Sequence, residues 1–190
     1  MTAAGLSYAR AAVRLTLTAG DGRGLDRPAG ASRLIVSAAP APPPQAGARL
    51  AVVGLRRNET SPVSRLKSLS YLDNVLARRQ ARDAGADEAL MLNTSGLIAG
   101  AAAANLFWIA AERLYTPALD CGVLDGIMRA QVMAAAHELG APVQAVRVGI
   151  EALDQADAMF LTNSLVGICP VLSLDGREIG SHRLVEALSR

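Results

Sequence analysis

The residue types that most often carry catalysis are scarce in this sequence. Histidine occurs only at positions 137 and 182, and cysteine only at positions 121 and 169. "HELGA" begins at His137 like a zinc-binding HExxH motif, but Ala141 stands where the second histidine belongs. The cysteines lie far apart and form no CxxC pair, which argues against a structural zinc site and against a disulfide framework. We therefore predict no metal site. Any chemistry has to come from lysine, carboxylates, hydroxyls, backbone donors or a cofactor.

Lys67 is the residue whose surroundings raise the question of chemistry. It lies in "SRLKSLSYLDNVLARRQA" (residues 64–81), among small and apolar residues and just ahead of a strongly patterned helix. Most lysines are solvated, so the position alone does not distinguish a surface cation from a reactive amine. The answer depends on the motifs that accompany it.

The composition excludes several classes of protein. Hydrophobic residues make up 51% and charged residues 19% of the 190 positions, which favours a packed globular chain over disorder. The net charge of +2 and the 3% of aromatic residues do not favour nucleic-acid binding. The N-terminus has no continuous apolar core of a signal peptide, and the longest apolar run (97–111) is shorter than the about 18–20 residues of a membrane helix. With two separated cysteines, we expect a cytoplasmic protein that binds neither nucleic acid nor membranes.

The first part of the chain is predicted to form strands followed by a proline-rich segment. Residues 12–20 and 33–40 combine apolar and β-branched residues between turn residues, as strands do. "PAPPPQAGA" (40–48) cannot be a helix or a central strand, because each proline removes a backbone donor and fixes φ. This segment is the best candidate for a domain edge, and we predict domains at 1–48 and 49–190.

The segment after Lys67 changes to a helical period. Ser70 and Asp73 have the spacing of a capping box, and Gly85 is expected to end the helix. Arginines on the helix can face solvent, while its apolar residues form a stripe. The stripe consists of Leu69, Leu72, Val75 and Leu76.

The rest of the chain is predicted to contain more strands than helices. A second helix is predicted over residues 122–140, ended by Gly140, and a long extended segment over 97–110. "GDGRG" (20–24) has glycines without the GxGxxG spacing, so a dinucleotide site is not favoured. The pattern indicates an α+β fold rather than regular βαβ alternation. The other predicted strands are 49–55, 87–93, 143–149, 158–164 and 170–174.

Four blocks of sequence, in the same order, resemble the class IV aminotransferases, which are the fold-type IV pyridoxal-phosphate enzymes. The family includes 4-amino-4-deoxychorismate lyases, branched-chain aminotransferases and D-amino-acid aminotransferases. Several blocks in the right order are more specific than any one short motif, and "AANLFW", "YTPALD" and "GIMR" look most like the lyases. The blocks are residues 56–96, 103–108, 114–130 and 160–176.

This resemblance implies a fold and a domain arrangement. The match runs from about residue 13 to residue 176, and it implies the α+β architecture of fold-type IV enzymes. Family members normally carry a further stretch before the strand at 12–20, which forms most of a small N-terminal domain. By resemblance, therefore, residues 1–48 are a remnant of that domain and its linker, and residues 49–190 are the large cofactor-binding domain.

The resemblance also implies that Lys67 is the lysine that forms a Schiff base with pyridoxal 5'-phosphate. A lysine must lose its proton to attack an aldehyde, so the site should lower the lysine pKa by desolvation or by a nearby cation. The same amine can then move the α-proton of a substrate, first as a base and then as an acid.

Other cofactor contacts follow from the resemblance in the same way. Gly126, Ile127 and Met128 lie at or near the start of a helix, where free N–H groups favour an anion, and the amides of Ile127 and Met128 match those that hold the cofactor phosphate. Ser164 matches a position that often carries a phosphate-binding hydroxyl. Asn105 is expected to support the site through an amide bonded to backbone. Arg23, which matches the family's RG turn, is also expected to be structural.

One departure from the family concerns Gly100. Relatives normally have a glutamate at this position, and its carboxylate keeps the pyridine nitrogen of the cofactor protonated. The stretch 97–104 contains no acidic residue. We therefore expect a poorly protonated ring and weakened chemistry at the substrate α-carbon.

The best functional assignment from the resemblance is aminodeoxychorismate lyase, which eliminates pyruvate and leaves 4-aminobenzoate, a folate precursor. The alternative enzyme is a branched-chain or D-amino-acid aminotransferase. An alternative of another class is a truncated, non-catalytic relative, which Gly100 and the short N-terminus favour and which the retention of Lys67, "GIMR" and "TNS" disfavours. The expected substrate is a small amino acid or aminodeoxychorismate, and a homodimer is expected by resemblance.

Overall fold

A computed structural model describes residues 10–22, 30–141 and 143–189 of the chain. Two compact units are present, residues 1–44 and residues 45–190. The turn containing Arg23, expected from the sequence to be structural, lies outside the described residues.

The first unit contains one antiparallel pair of strands. Strand β1 (Ala11–Leu17) pairs with β2 (Leu34–Pro40), with Leu15 opposite Val36. Both strands were predicted, although β1 ends three residues before the predicted boundary. Because β-branched residues on a two-stranded ribbon have no second layer to cover them, Val36 and Ile35 remain more than half exposed.

The second unit is built on one mixed sheet. Its strands run in the order β5-β4-β3-β10-β9-β6-β7-β8, and β11 pairs with β10. The β3/β4, β3/β10 and β7/β8 pairs are parallel, and the others are antiparallel. The strands are β3 (Ala48–Val52), β4 (Glu88–Leu92), β5 (Ile98–Ala101), β6 (Asn105–Ala110), β7 (Arg113–Pro117), β8 (Val143–Val146), β9 (Ala158–Asn163), β10 (Gly167–Leu174) and β11 (Arg177–Glu178).

The long extended segment predicted over 97–110 is in fact two strands. Strand β5 ends at Ala101, residues 102–104 bend, and β6 begins at Asn105. The alanine run has no turn residue to signal this break. Its apolar composition is explained by burial, since β5 and almost all of β6 are buried.

The helix after Lys67 differs from its predicted form in two respects. Helix α1 (Leu72–Asp83) begins at the N-cap residue Tyr71 without a side-chain cap, so the predicted capping box of Ser70 and Asp73 is wrong. The buried side of α1 consists of Asn74, Ala77 and Ala81, which lie three and four residues apart.

The apolar stripe of this helix is exposed, although such a stripe normally faces a protein core. Small alanines let α1 approach β3 and β4 closely, where Ala77 and Ala81 pack with Ala89 and Met91. The larger side chains are thereby left on the outer side. The stripe residues and their exposed fractions are Leu69 67%, Leu72 68%, Val75 55% and Leu76 40%.

Two further helices complete the unit. Helix α2 (Ile127–Glu138) begins five residues later than predicted, because Gly122 adopts a left-handed φ of 86° and residues 123–126 form no regular structure. It packs on the opposite part of the sheet, near the stacked rings of Phe107 and Phe160, whose centroids are 5.0 Å apart. Helix α3 (Arg183–Leu188) is capped by His182, whose Nδ1 accepts from the Leu184 amide at 3.2 Å. The His182 side chain is only partly exposed. None of the helices in the described residues is long and apolar enough to span a membrane.

Candidate functional site

Lys67 lies in the connection that leads into α1. A short 3₁₀ helix (Pro62–Arg65) precedes it, and the side chain is exposed. Its Nζ lies 5.1 Å from the centroid of the Tyr71 ring, within the range of a cation–π contact. Lys67 is also the only lysine of the 190 residues. A reactive lysine is expected to be shielded from water. The described residues leave the Lys67 side chain exposed, so they do not provide this desolvation.

The bend at residues 102–104 ties the candidate residues together. The Ala102 carbonyl accepts from the Tyr71 hydroxyl at 3.0 Å and from Asn74 Nδ2. The next carbonyl, of Ala103, accepts from Asn163 Nδ2 at 3.0 Å. Burial raises the pKa of the Tyr71 phenol, which keeps the hydroxyl protonated as a donor. The bend thus connects the helix that follows Lys67, the strand that contains Gly100 and the turn that contains Ser164.

Asn105 connects the same bend to the start of α2. It is buried, and its Nδ2 donates to the Leu124 carbonyl at 2.9 Å, which is the backbone bond expected from the sequence. Its Oδ1 lies against Gly126, where an added Cβ would overlap that oxygen. Gly126 is therefore required by close packing, since its φ of −77° is open to any residue.

The N-terminus of α2 presents amide donors without a side-chain cap. The first N–H groups of a helix have no partner within the helix, so the amides of Ile127 and Met128 can bind an anion. Arg129 fixes this first turn: it is 5% exposed, and its Nη2 donates to the Pro117 carbonyl at 3.3 Å. Its Nη1 also lies 3.5 Å from Asp125 Oδ1. Sequence reasoning missed Arg129, although the i,i+4 spacing to Asp125 was a signal.

Ser164 is exposed in the turn between β9 and β10. The turn is shaped by Asn163, whose Oδ1 accepts from the amides of Leu165 at 2.9 Å and Val166 at 3.0 Å. Because the other end of the Asn163 amide bonds to Ala103, the turn is held beside the bend. Sequence reasoning missed this role of Asn163.

Gly100 lies buried near the end of β5 with a φ of +93°. An added Cβ would lie 3.6 Å from the Ala104 carbonyl oxygen, which is an ordinary contact. The position therefore has room for a Cβ, but its left-handed backbone favours glycine. Because residue 100 is glycine, this end of β5 lacks a carboxylate. The resemblance to the family would lead one to expect a carboxylate at this position.

Arg57 is a half-buried cation beside this group that sequence reasoning did not single out. Its Nη2 donates to Met91 Sδ at 3.4 Å, and its buried Nε finds no hydrogen-bond partner within residues 10–22, 30–141 and 143–189. Burial lowers the pKa of the guanidinium, while the nearby Tyr71 and Asp73 partly offset this. No sequence signal distinguishes Arg57 from the other 17 arginines, because its environment depends on tertiary packing.

Two cavities of the second unit lie away from these residues. One of about 660 Å³ lies between the end of α2 and α3, next to Glu112 and His182. Another of about 200 Å³ lies beside Trp108 and Tyr115. Neither of these two cavities is lined by the candidate residues.

The candidate residues fit pyridoxal 5'-phosphate in three respects. The uncapped amides of α2 suit a phosphate, and the orphaned Nε of Arg57 is a buried donor available to a ring or carboxylate acceptor. Lys67 supplies the one ε-amine.

Comparison with known proteins identifies the family. The sequence model described as "Amino-transferase class IV" matches residues 1–174. The chain therefore belongs to the class IV aminotransferases, a family of enzymes that depend on pyridoxal phosphate.

Both activities expected from the resemblance occur among its relatives. Aminodeoxychorismate lyase of Bacillus subtilis is 35% identical over 131 residues, covering 69% of this chain and 45% of that protein. A Methanocaldococcus jannaschii protein proposed to be a branched-chain-amino-acid aminotransferase is 35% identical over 179 residues, covering 92% of this chain and 62% of that protein. This chain therefore spans about half to two thirds of the length of these relatives.

A solved structure confirms the fold. A Legionella pneumophila protein proposed to be a 4-amino-4-deoxychorismate lyase superimposes with a TM-score of 0.89 at 35% identity. The match covers 93% of this chain and 66% of that chain. The predicted α+β architecture of fold-type IV enzymes is thus correct.

Proposed function

We propose that this chain is the cofactor-binding part of a pyridoxal-phosphate-dependent aminodeoxychorismate lyase. The observation that carries the proposal is that one bend, residues 102–104, joins the only lysine, through Tyr71, to the uncapped start of α2, through Asn105. A lysine amine and a phosphate-binding helix N-terminus are the two anchors that this cofactor needs.

Different residues of the chain would bind the cofactor, hold its phosphate and transfer the proton. Lys67 would hold the cofactor covalently through Nζ and move the substrate α-proton at that same atom. The amides of Ile127 and Met128, positioned by Gly126, would hold the phosphate, with the Ser164 hydroxyl as an additional donor. When bound, pyridoxal phosphate supplies an electron sink for the bond that breaks at the substrate α-carbon.

A branched-chain or D-amino-acid aminotransferase is the second candidate. The similarity to the M. jannaschii protein, which covers 92% of this chain, favours it. A non-catalytic relative is the third candidate, favoured by the glycine at position 100. All three share residues 49–190 as the proposed large cofactor-binding domain, with residues 1–48 as part of a smaller domain and its linker.

Product analysis separates these candidates. The purified chain with pyridoxal phosphate is expected to convert aminodeoxychorismate to equal amounts of 4-aminobenzoate and pyruvate, measured by fluorescence and by a coupled assay. An aminotransferase would instead form a 2-oxo acid from valine or D-alanine and accumulate pyridoxamine phosphate. Binding of the cofactor without either product would contradict both enzymatic candidates and favour the non-catalytic one.

We also propose a homodimer that covers the exposed apolar face beside Lys67. Leu66, Leu69 and Leu72 are 61–68% exposed, and Val75 extends the face along α1. Contiguous exposed apolar side chains of this size mark protein–protein contacts, and a partner here would supply the desolvation that Lys67 lacks in the single chain.

The oligomeric state tests this proposal through a charge placed on the face. Leu72→Glu is expected to convert a dimer to a monomer in sedimentation equilibrium, since a buried unpaired carboxylate opposes association. Gln80→Glu, on an exposed site of the same helix, serves as the control and should leave the dimer intact. A wild-type chain that sediments as a monomer at high concentration would contradict the proposal.

A further inference from the structure

Arg57 is held firmly in a position where its charge has no ion-pair partner in the part of the chain that the structure describes. Its amide donates to the Leu92 carbonyl at 2.9 Å, and its carbonyl accepts from the Thr94 amide at 3.1 Å, so the backbone is fixed to the end of β4. Glu59 reinforces this connection, since its carboxylate accepts from the Thr94 hydroxyl at 2.9 Å and the Ser95 hydroxyl at 2.7 Å. The Arg57 side chain is therefore positioned by an ordered loop.

Among the described residues, the surroundings of the Arg57 side chain leave at least one of its N–H donors without an acceptor. Its Nη2 donates to the weak acceptor Met91 Sδ, and its buried Nε has no hydrogen-bond partner in the described ranges. Among the described residues no carboxylate lies within ion-pair distance of Arg57, and the negative charge of Asp73 offsets only part of the lowering of its pKa by burial. A half-buried cation without an acceptor is costly, so a bound acceptor would stabilise it.

The position of Met91 relates this cation to Gly100. Met91 on β4 is the cross-strand partner of Gly100 on β5 in the antiparallel pair. Directly opposed residues of such a pair share one face of the sheet. Met91 packs with Ala77 and Ala81 on the face that α1 covers. The Arg57 guanidinium thus lies on the same face as the missing side chain of position 100, one strand away.

We infer that Arg57 donates a hydrogen bond to the pyridine nitrogen of bound pyridoxal phosphate, taking the place of an acid at position 100. The inference rests on the proposed function. A guanidinium does not release its proton to pyridine, so the ring nitrogen has to accept and stays unprotonated. The ring then withdraws electrons more weakly than a pyridinium would, which makes the protein slow at removing the substrate α-proton.

The test uses the full chain loaded with pyridoxal phosphate labelled with ¹⁵N in the ring. Borohydride reduction and peptide mass spectrometry first establish that the cofactor is attached to Lys67. The ¹⁵N chemical shift of the unreduced complex then reports the protonation of the ring nitrogen, independently of turnover. We expect the shift of an unprotonated, hydrogen-bonded pyridine.

Two pairs of variants make the assignment specific. Arg57→Gln should change the ¹⁵N shift and weaken cofactor binding about tenfold, as expected for a hydrogen bond from a charged group. Arg56→Gln, the exposed neighbouring arginine, should change neither. Gly100→Glu should move the shift to that of a protonated ring, and Gly100→Ala controls for the strain of a side chain at φ +93°.

The outcomes separate this inference from the proposed function. A protonated ring in the wild type, or an Arg57→Gln variant with wild-type shift and affinity, would overturn the inference while Lys67 attachment still supports the function. Absence of cofactor on Lys67 would overturn both.

Discussion

Replacing Lys67 by alanine should remove turnover entirely. No other ε-amine exists in the chain, so no second lysine can take over the cofactor or the proton transfer. Loss of acid–base catalysis alone lowers rates by about 10²–10⁴-fold, and loss of the covalent anchor adds to this. Steady-state formation of 4-aminobenzoate, with the enzyme saturated in pyridoxal phosphate, measures the effect.

A neighbouring cation provides the matched control for Lys67. Arg65→Ala removes a positive charge two residues earlier, at an exposed position of the same connection. It should retain activity within a few-fold of wild type. Substantial turnover in Lys67→Ala, equal to that of Arg65→Ala, would show that the lysine is one more surface charge.

Replacing Gly126 by alanine should damage both stability and cofactor binding. The added Cβ overlaps Asn105 Oδ1, so either α2 shifts away from β6 or Asn105 loses its bond to Leu124. Overpacking of this kind costs about 1–3 kcal/mol of unfolding free energy. The amides of Ile127 and Met128 move with the start of α2, so we expect weaker cofactor binding as well. Chemical denaturation and a fluorescence titration with pyridoxal phosphate measure the two effects.

The controls for Gly126 test the cause as well as the size of the effect. Gly54→Ala adds a Cβ that meets nothing within 4 Å, so it should leave stability nearly unchanged. Combining Gly126→Ala with Asn105→Ala removes the overlapping oxygen, so the two losses should be less than additive. Fully additive losses would refute the close-packing explanation.

Several strands could be predicted from the sequence because their local residue pattern is enough to identify a strand. β-Branched and apolar runs between turn residues located β3, β4 and β9 to within a few residues. The break between β5 and β6 could not be predicted, because alanines 101–104 fit a strand or a bend equally well. It is fixed by side chains from elsewhere, chiefly Tyr71 and Asn163.

The burial of α1 shows a different limit of sequence reasoning. Three residues of the predicted stripe lie on the helix and Leu69 precedes it, but which side faces the sheet depends on what the sheet can accommodate. Here it accepts Asn74 and two alanines. The larger apolar side chains are exposed in the single chain, which is why their role is proposed as contact with a partner.

The candidate site was predictable only where a family pattern exists. Lys67, Gly126 and Ser164 were found through resemblance, and their roles remain proposals. Arg57 and Asn163 matter because of what they contact, Met91 and the 102–104 bend. Such contacts between residues distant in sequence leave no local pattern.

The most direct test of the central claim is to trap the cofactor on the wild-type chain. Pyridoxal phosphate is added, the complex is reduced with borohydride, and the digested protein is examined by mass spectrometry. Only Lys67 and the N-terminal amine can be modified, so the attachment site is unambiguous. We predict one cofactor per chain on the peptide containing Lys67. A folded chain with no modification there, or with modification only at the N-terminus, would contradict the account.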